Sequence, residues 1–283
     1  MLRETKNLST RFAGLAPDLV QSLAKGLAVI EAFGAATPRM TLSEVARRVG
    51  LSPGSAQRIL RTLEELGYVG AEDGRFSLRP RALQLGYAYL ASLPVAAIVQ
   101  PVLTALTEAT GETSSLSVLD GADVVYVARA TAKRLARDYM SVGTRMPAHA
   151  TSPGKVLLAA LPEAARRALA DGPPLQALTP RTITGRKALL AAILRVRKQG
   201  HATNDQETIM GLRALAVPVM VGGRAVAALG ISAEVARIAM SEMEARFLPP
   251  LREAAGAVAA AMQAREPRGA PLPRYDGSSG RPT

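Results

Sequence analysis

Ser55, Gln57, Arg58 and Arg61, within the stretch GLSPGSAQRILRTLEELGYV, are a hydroxyl, an amide and two guanidinium groups crowded into one short span. The apolar residues around them, Ala56, Ile59, Leu60, Leu63 and Leu66, recur at i, i+3, i+4 and i+7, which makes one buried stripe if the span is helical. The polar four then stand on the wet side, at the N-terminal end, where a recognition helix offers donors to base edges. A second span, GTRMPAHATSPGKVLLA, suits a different partner. Thr151 or Ser152 can cap a helix whose first residue is Pro153, which leaves free N–H groups and the positive end of the helix dipole for a carboxylate. The plainer alternative is that Ser-Pro only starts a helix and Gly154 only permits close packing.

Other chemistry is scarce. There is no cysteine, so thiol catalysis, disulfides and cysteine-ligated zinc are excluded. His149 and His201 have no carboxylate or metal ligand at suitable spacing, and no nucleophile elbow or phosphate-binding glycine loop occurs, so neither an enzyme, a cofactor nor a metal is expected. The net charge of +12 suits a polyanionic partner. Residues 39–81 carry eight Lys/Arg against five Asp/Glu, however, so most of the excess lies elsewhere.

The elements that must hold these residues follow from their flanks. TLSEVARRVG reads as a short helix with Thr41 and Glu44 at capping-box spacing and Gly50 at its end. Ser52 then caps the helix that begins at Pro53. The pair is a helix-turn-helix, and Thr41, Ser43 and Ser52, hydroxyls at its two helix starts, join the DNA-facing set. Downstream, YVGAEDGRFSLRPRAL reads as a hairpin turning at Asp73-Gly74, a wing with Arg75 at its tip and Arg79 and Arg81 beyond it, placed for phosphates.

Val20 to Phe33 supplies the first helix of this winged domain, with Leu23, Leu27, Ile30, Ala24, Val29 and Phe33 available to the core. Residues 82–93, ALQLGYAYLASL, form an apolar helix ended by Pro94 that needs a partner, and a second copy of the chain is the simplest one. Beyond it, hairpins turning at Asp120-Gly121 and Gly222-Gly223 alternate with helical segments, and an amphipathic helix closes the chain from about Ser241 to Ala264. The expected class is α+β: a flexible arm over 1–19, a winged helix-turn-helix over 20–81, a linker helix over 82–93, a sensor domain with an antiparallel sheet flanked by helices over 94–264, and a disordered tail over 265–283. No apolar run spans a bilayer and MLRETKNLSTRF lacks the apolar core of a secretory signal, so a cytoplasmic location without membrane attachment is expected.

With those elements in place the chain resembles the IclR family of bacterial transcriptional regulators over residues 20–264. The matching stretches are SLAKGLAVIEAF, LSEVARRVGLSPGSAQRILRTLEELGYV, VGTRMPAHATSPGKVLLAALP, and GLRALAVPV followed by AVAALGIS. PRALQLGYAYLASLP, SSLSVLDGADVVYVAR and LTPRTIT are similar to the subgroup that governs aromatic-acid catabolism through the β-ketoadipate pathway. The resemblance implies a homodimer or dimer of dimers on double-stranded operator DNA, and a GAF-like effector domain for a small organic acid. Carried over from family members that bind small keto acids, the ligand positions are Ser152, Pro153, Asn204, Ala214, Gly230 and Ser232. Asn204 stands where those members have an acid, and Ala214 and Gly230 remove bulk, so a larger, aromatic acid is expected, with Asn204 and Ser232 available to ring hydroxyls. Arg137, Arg145 and Glu207 are further charged candidates, equally readable as surface or structural pairs. An enzyme acting on the acid and a nonspecific architectural DNA protein are the competing functions.

Overall fold

The computed structural model describes residues 19–34, 36–92, 98–132, 140–172 and 174–265, and its internal contacts divide the chain into one unit up to Ser92 and another from Leu93. The arm, the tail and the stretch holding Arg137 lie outside the described residues.

The first unit contains α1 (Gln21–Ala32), β1 (Met40–Thr41), α2 (Leu42–Val49), α3 (Pro53–Glu65), β2 (Val69–Glu72), β3 (Arg75–Leu78) and α4 (Leu83–Ser92). Thr41 and Glu44 form a complete capping box: the Glu44 amide donates to Thr41 Oγ1 at 3.3 Å and the Thr41 amide donates to Glu44 Oε2 at 2.7 Å. Gly50, at φ +72°, ends α2 in the left-handed conformation that glycine adopts without strain. Ser52 caps α3 by accepting the Ser55 amide, with Pro53 in the first helical position. The three strands pair in the order β1-β3-β2, all antiparallel, and Asp73 and Gly74 at positive φ make the two-residue turn.

Val29, Val45, Val49, Leu60 and Val69 fill the core of this unit. The expectation for α1 holds for Val29 and Phe33 and fails for Leu23 and Leu27, and that for Leu66 fails. On α1 the inward face is Ala28, Val29, Ala32 and, just past its end, Phe33, while Leu23 and Leu27 are 62% and 45% exposed. Both stripes are apolar, but the alanines let α1 approach α2 and α3 closely, so the small face goes in. Leu66 follows α3 as its C-cap and is exposed rather than core.

The second unit runs α5 (Gln100–Thr110), β4 (Thr113–Asp120), β5 (Asp123–Ala130), β6 (Arg145–Pro147), α6 (Ser152–Ala160), α7 (Glu163–Ala168), α8 (Arg186–Gln199), β7 (Ala202–Asp205), β8 (Leu212–Val221), β9 (Arg224–Glu234) and α9 (Met240–Arg265). Its six strands form one antiparallel sheet ordered β6-β5-β4-β9-β8-β7. The two long hairpins turn at Gly121 and at Gly222-Gly223, all at positive φ. α6 lies along the sheet, and Val156, Leu157, Ile193, Ala202, Ala216 and Ala228 belong to the core beneath it. Met243, Leu251 and Val258 of α9 are fully buried, and α9 packs on β8 and β9. Among the described residues no helix is long and apolar enough to cross a membrane.

One irregularity matters below. Leu116 pairs with Ala128 but Ser117 pairs with Tyr126, so β5 carries one residue more than β4 at this point, a β-bulge.

Candidate functional site

The helix-turn-helix presents its polar side outward. Gln57, Arg58 and Arg61 are exposed on α3 and make no ion pair or side-chain hydrogen bond among the described residues. The hydroxyls of Thr41 and Ser52 are spent on their helix caps, and Ser43 is exposed on the first turn of α2. Thr41's hydrogen bonds, assisted by Arg75 and Arg47, hold the Glu44 carboxyl below the usual carboxylate range. Arg75 sits at the start of β3, 3.6 Å from Glu44, so the wing's first cation leans on the first turn of α2. The later wing arginines turn back on their own unit. The Arg79 guanidinium lies over Gly70, where any side chain would collide with it. Arg81 donates to the Leu66 carbonyl at 2.8 Å and stacks over Tyr68 at 5.4 Å, which makes it a brace for the α3–β2 turn.

The second unit holds an open pocket with about 620 Å³ of empty space, mouth included. Two rows of cross-strand neighbours form its floor. One runs Asn204, Ala214 and Ser232 across β7, β8 and β9, and the next runs Gly230, Ser115 and Arg129 across β9, β4 and β5. Ser152 and Pro153, at the start of α6, close one side of the pocket, with Met140 and Thr208 also on its wall. All six positions carried over by resemblance therefore line a single cavity.

Local geometry decides which of them remain open to a ligand. Thr151 is the N-cap of α6, its hydroxyl accepting the Gly154 amide at 3.0 Å. The neighbouring Ser152 is 1% exposed and lines the pocket, and its hydroxyl has no hydrogen-bond partner among the described residues. A buried hydroxyl without a partner is costly, and Ser152 Oγ is one of the few such atoms among the described residues. Gly154 has a separate duty: a Cβ there would run into the backbone of Ala148, which keeps the first turn of α6 pressed on the preceding turn.

Asn204 lines the pocket and is also tied to the backbone at both ends. Its amide nitrogen donates to the Ala150 carbonyl and its Oδ1 accepts the Glu207 amide at 3.0 Å, so both ends tie the approach to α6 to the β7–β8 loop. Lys155 and Glu207 make a buried ion pair across the same gap, and Glu207 is not among the residues that line the pocket. Burial lowers the Lys155 pKa even though the Glu207 carboxylate pulls the other way. Arg145 pairs with Asp120 at 2.5 Å and Asp123 at 3.5 Å on the surface, away from the pocket lining. His149 is buried with Nε2 3.0 Å from the Gln176 carbonyl oxygen, and His201 lies 3.5 Å from Glu244. Among the described residues no group of three metal-ligating side chains converges.

The pocket also contains residues the sequence did not single out. Arg213 lines it but is held by Asp205 at 3.0 and 3.2 Å and by the Ile238 carbonyl at 2.6 Å. Arg129 and Tyr126 line it as well, and burial pushes the Tyr126 phenol up to about 12 despite the opposing charge of Arg129. Alternation along a regular strand puts positions three apart on opposite faces. The bulge in β5 cancels that offset and brings both to the pocket.

Comparison with known proteins agrees with this architecture. The family model for the IclR helix-turn-helix domain matches residues 22–73, and the one for the bacterial transcriptional regulator IclR C-terminal domain matches residues 87–260. The Pca regulon regulatory protein of Pseudomonas putida is 41% identical over 237 residues, 83% of this chain and 81% of that protein. A solved structure described as a transcriptional regulator of Rhodococcus sp. RHA1 is 45% identical with a TM-score of 0.78, covering 88% of this chain and 100% of that one. An IclR homologue of Microbacterium hydrocarbonoxydans, solved with 4-hydroxybenzoate, is 25% identical with a TM-score of 0.74, covering 86% and 99%.

Proposed function

The chain belongs to the IclR family and is a helix-turn-helix transcriptional regulator rather than an enzyme; from that premise we propose that it is a sequence-specific operator-binding protein switched by an aromatic acid or a product of its ring cleavage. In this reading residues 20–81 bind DNA, 82–93 pair protomers into a homodimer that can assemble further, and 94–264 sense the effector, in the cytoplasm where the operator lies. Ser55, Gln57, Arg58 and Arg61 meet base edges, while Arg75 meets a phosphate with the help of Ser43. Thr41 and Ser52 act by holding the two helix starts in place.

The observation that carries the effector half is the Ser152 hydroxyl, buried and unpartnered in the pocket at the N-terminus of α6. A carboxylate there would accept that hydroxyl and sit at the positive end of the helix. Likeness to the Pca regulon regulatory protein and to the homologue solved with 4-hydroxybenzoate supports an aromatic-pathway acid. Calorimetric titration of the purified chain with 4-hydroxybenzoate, protocatechuate and open-chain ring-cleavage acids tests this. An effector at 100 times its dissociation constant should also stabilise the fold by about 2.7 kcal/mol in a thermal-shift assay. Ser152→Ala should weaken the best acid by roughly tenfold or more, as expected for a lost hydrogen bond to a charged group. Binding to none of these acids would overturn the reading.

A further inference from the structure

We infer that the outer face of α8 is a second contact surface for DNA, taking the sugar-phosphate backbone of the duplex that flanks the operator. The inference rests on operator binding by the first unit and extends DNA contact to the second. Charge is its starting point. Of the net +12, residues 39–81 hold only eight cations against five acids, so most of the excess has no part in the helix-turn-helix. Between Asp171 and Asp205 the sequence has no acidic residue and six basic ones, five of them on α8. Three of the six are committed to the protein. Arg181 pairs with Asp205 at 2.9 Å, Arg186 donates to the Leu169 carbonyl at 3.1 Å, and Arg197 donates to the Ala159 carbonyl at 3.3 Å. Lys187, Arg195 and Lys198 are exposed and make no ion pair or side-chain hydrogen bond among the described residues.

The helix sets these three cations in one line. Leu189, Ala192, Ile193 and Val196 are the buried stripe of α8, while Lys187, Ala191, Leu194 and Lys198 recur at i, i+4, i+7 and i+11 on the opposite side, with Arg195 at their edge. Lys187 and Lys198 then stand about 16 Å apart along the axis, at 1.5 Å per residue. Duplex DNA carries one negative charge per about 1.7 Å of its own axis, so a length of that order offers phosphates to all three cations. The apolar content of the face is Ala191 and Leu194, the latter 51% exposed. That is too little for a stable protein partner, which covers about 800 Å² per side around large buried anchors. A second copy of α8 is disfavoured too, since like charges would meet across a two-fold contact. Phosphate contact asks only for long side chains with free positive ends, and the face supplies them.

Fluorescence anisotropy of the full-length protein without effector tests this, on the bare operator and on operators flanked on each side by about one, two or three helical turns of unrelated sequence. Wild-type affinity should rise with flank length by about fivefold or more, and the slope of log K against log salt should steepen by about two to three. Lys187→Gln combined with Arg195→Gln and Lys198→Gln should lose both gains while binding the bare operator as wild type does. Arg167→Gln combined with Arg224→Gln and Arg246→Gln removes the same charge from exposed positions elsewhere in the unit, and should keep both gains. Indifference of wild type to flank length, a gain that survives in the α8 variant, or a gain lost equally in the control variant would overturn the inference and leave operator binding by the first unit intact. An equal loss on bare and flanked duplexes would also count against it, because the α8 cations would then not be reading the flank. Should the α8 triple variant fail to fold, Lys187→Gln and Lys198→Gln singly still decide: each should reduce the salt slope on the longest duplex by about one, and an unchanged slope in both rejects the surface. No binding to any of the duplexes would reject this inference together with the reading it rests on.

Discussion

The arginines of the first unit divide by what already holds them. Arg58 and Arg61 reach outward without a partner among the described residues, Arg75 shares Glu44, and Arg81 is committed to Leu66 and Tyr68. Different losses follow. Arg58→Ala should weaken operator binding by about 1–3 kcal/mol and random-sequence binding much less, as expected when a bidentate base contact is removed. Arg75→Ala should weaken both alike and reduce the dependence of log K on log salt by about one contact. Fluorescence anisotropy on operator and scrambled duplexes at several salt concentrations reads both effects. Equal losses on the two duplexes for Arg58→Ala would reassign it to phosphate, and an unchanged salt slope for Arg75→Ala would leave it as a brace for Glu44. From the sequence the exposure of Arg58 is legible, because the apolar stripe fixes which face is wet. The commitment of Arg81 is not, because its partner is a main-chain carbonyl fifteen residues back.

Elements were legible where backbone chemistry leaves a mark. Asp73-Gly74 and Gly222-Gly223 both need positive φ at two consecutive positions, which few residue types tolerate, so those hairpins can be read directly. The bulge in β5 leaves no such mark: SSLSVLDGADVVYVARA has the same composition with or without an extra residue in the ladder, and Arg129 and Tyr126 stay hidden with it. The orientation of α1 stays open in the sequence for a related reason, since two apolar faces compete and only packing against α2 and α3 selects one.

The tie between α6 and the β7–β8 loop is equally silent in sequence, because Lys155 and Glu207 are 52 positions apart. It makes a prediction with a definite sign. Removing one partner of a buried ion pair typically costs about 3–5 kcal/mol, so Glu207→Gln should be clearly destabilised near neutral pH. Burial already lowers the Lys155 pKa, and losing the Glu207 charge, which opposes that shift, lowers it further. Between the lowered folded value and the ordinary unfolded value the unfolded chain binds more protons, so stability rises with pH in that window. The stability gap between Glu207→Gln and wild type should therefore narrow from about pH 7 to about pH 9.5, as Lys155 sheds its proton in the variant first. Urea midpoints across this range test it. A constant gap would mean that Lys155 keeps its charge without Glu207.

At the scale of the whole molecule, α4 carries Leu83, Leu85 and Tyr87 exposed, three large apolar groups on a helix of ten residues. Such a run in water calls for a partner, and a two-fold pairing of α4 would also bring two recognition helices to one duplex. Leu85→Asp should then shift sedimentation from dimer toward monomer and lower operator affinity, because it would place an unpaired charge in an apolar contact. Dimers that persist with undiminished operator binding would locate the pairing surface elsewhere.

Sensing and switching are separable in the same molecule. A ligand changes DNA affinity only by as much as it prefers one conformation of the protein over another, and typical couplings are about 1–3 kcal/mol. Tight binding without that preference would leave the operator indifferent. Ser152 and Ser232 both line the pocket of the second unit, and neither belongs to the outward face of α3. Ser152→Ala combined with Ser232→Ala should weaken effector binding at least tenfold while operator affinity without effector stays within about twofold, giving a regulator that binds DNA and no longer hears its acid. Calorimetry for the acid and anisotropy for the operator, run on the same dimeric preparation, read the two halves independently. Unaltered acid binding would remove these serines from the site. Loss of operator affinity in a folded dimer without effector would show instead that they hold the DNA-competent conformation itself.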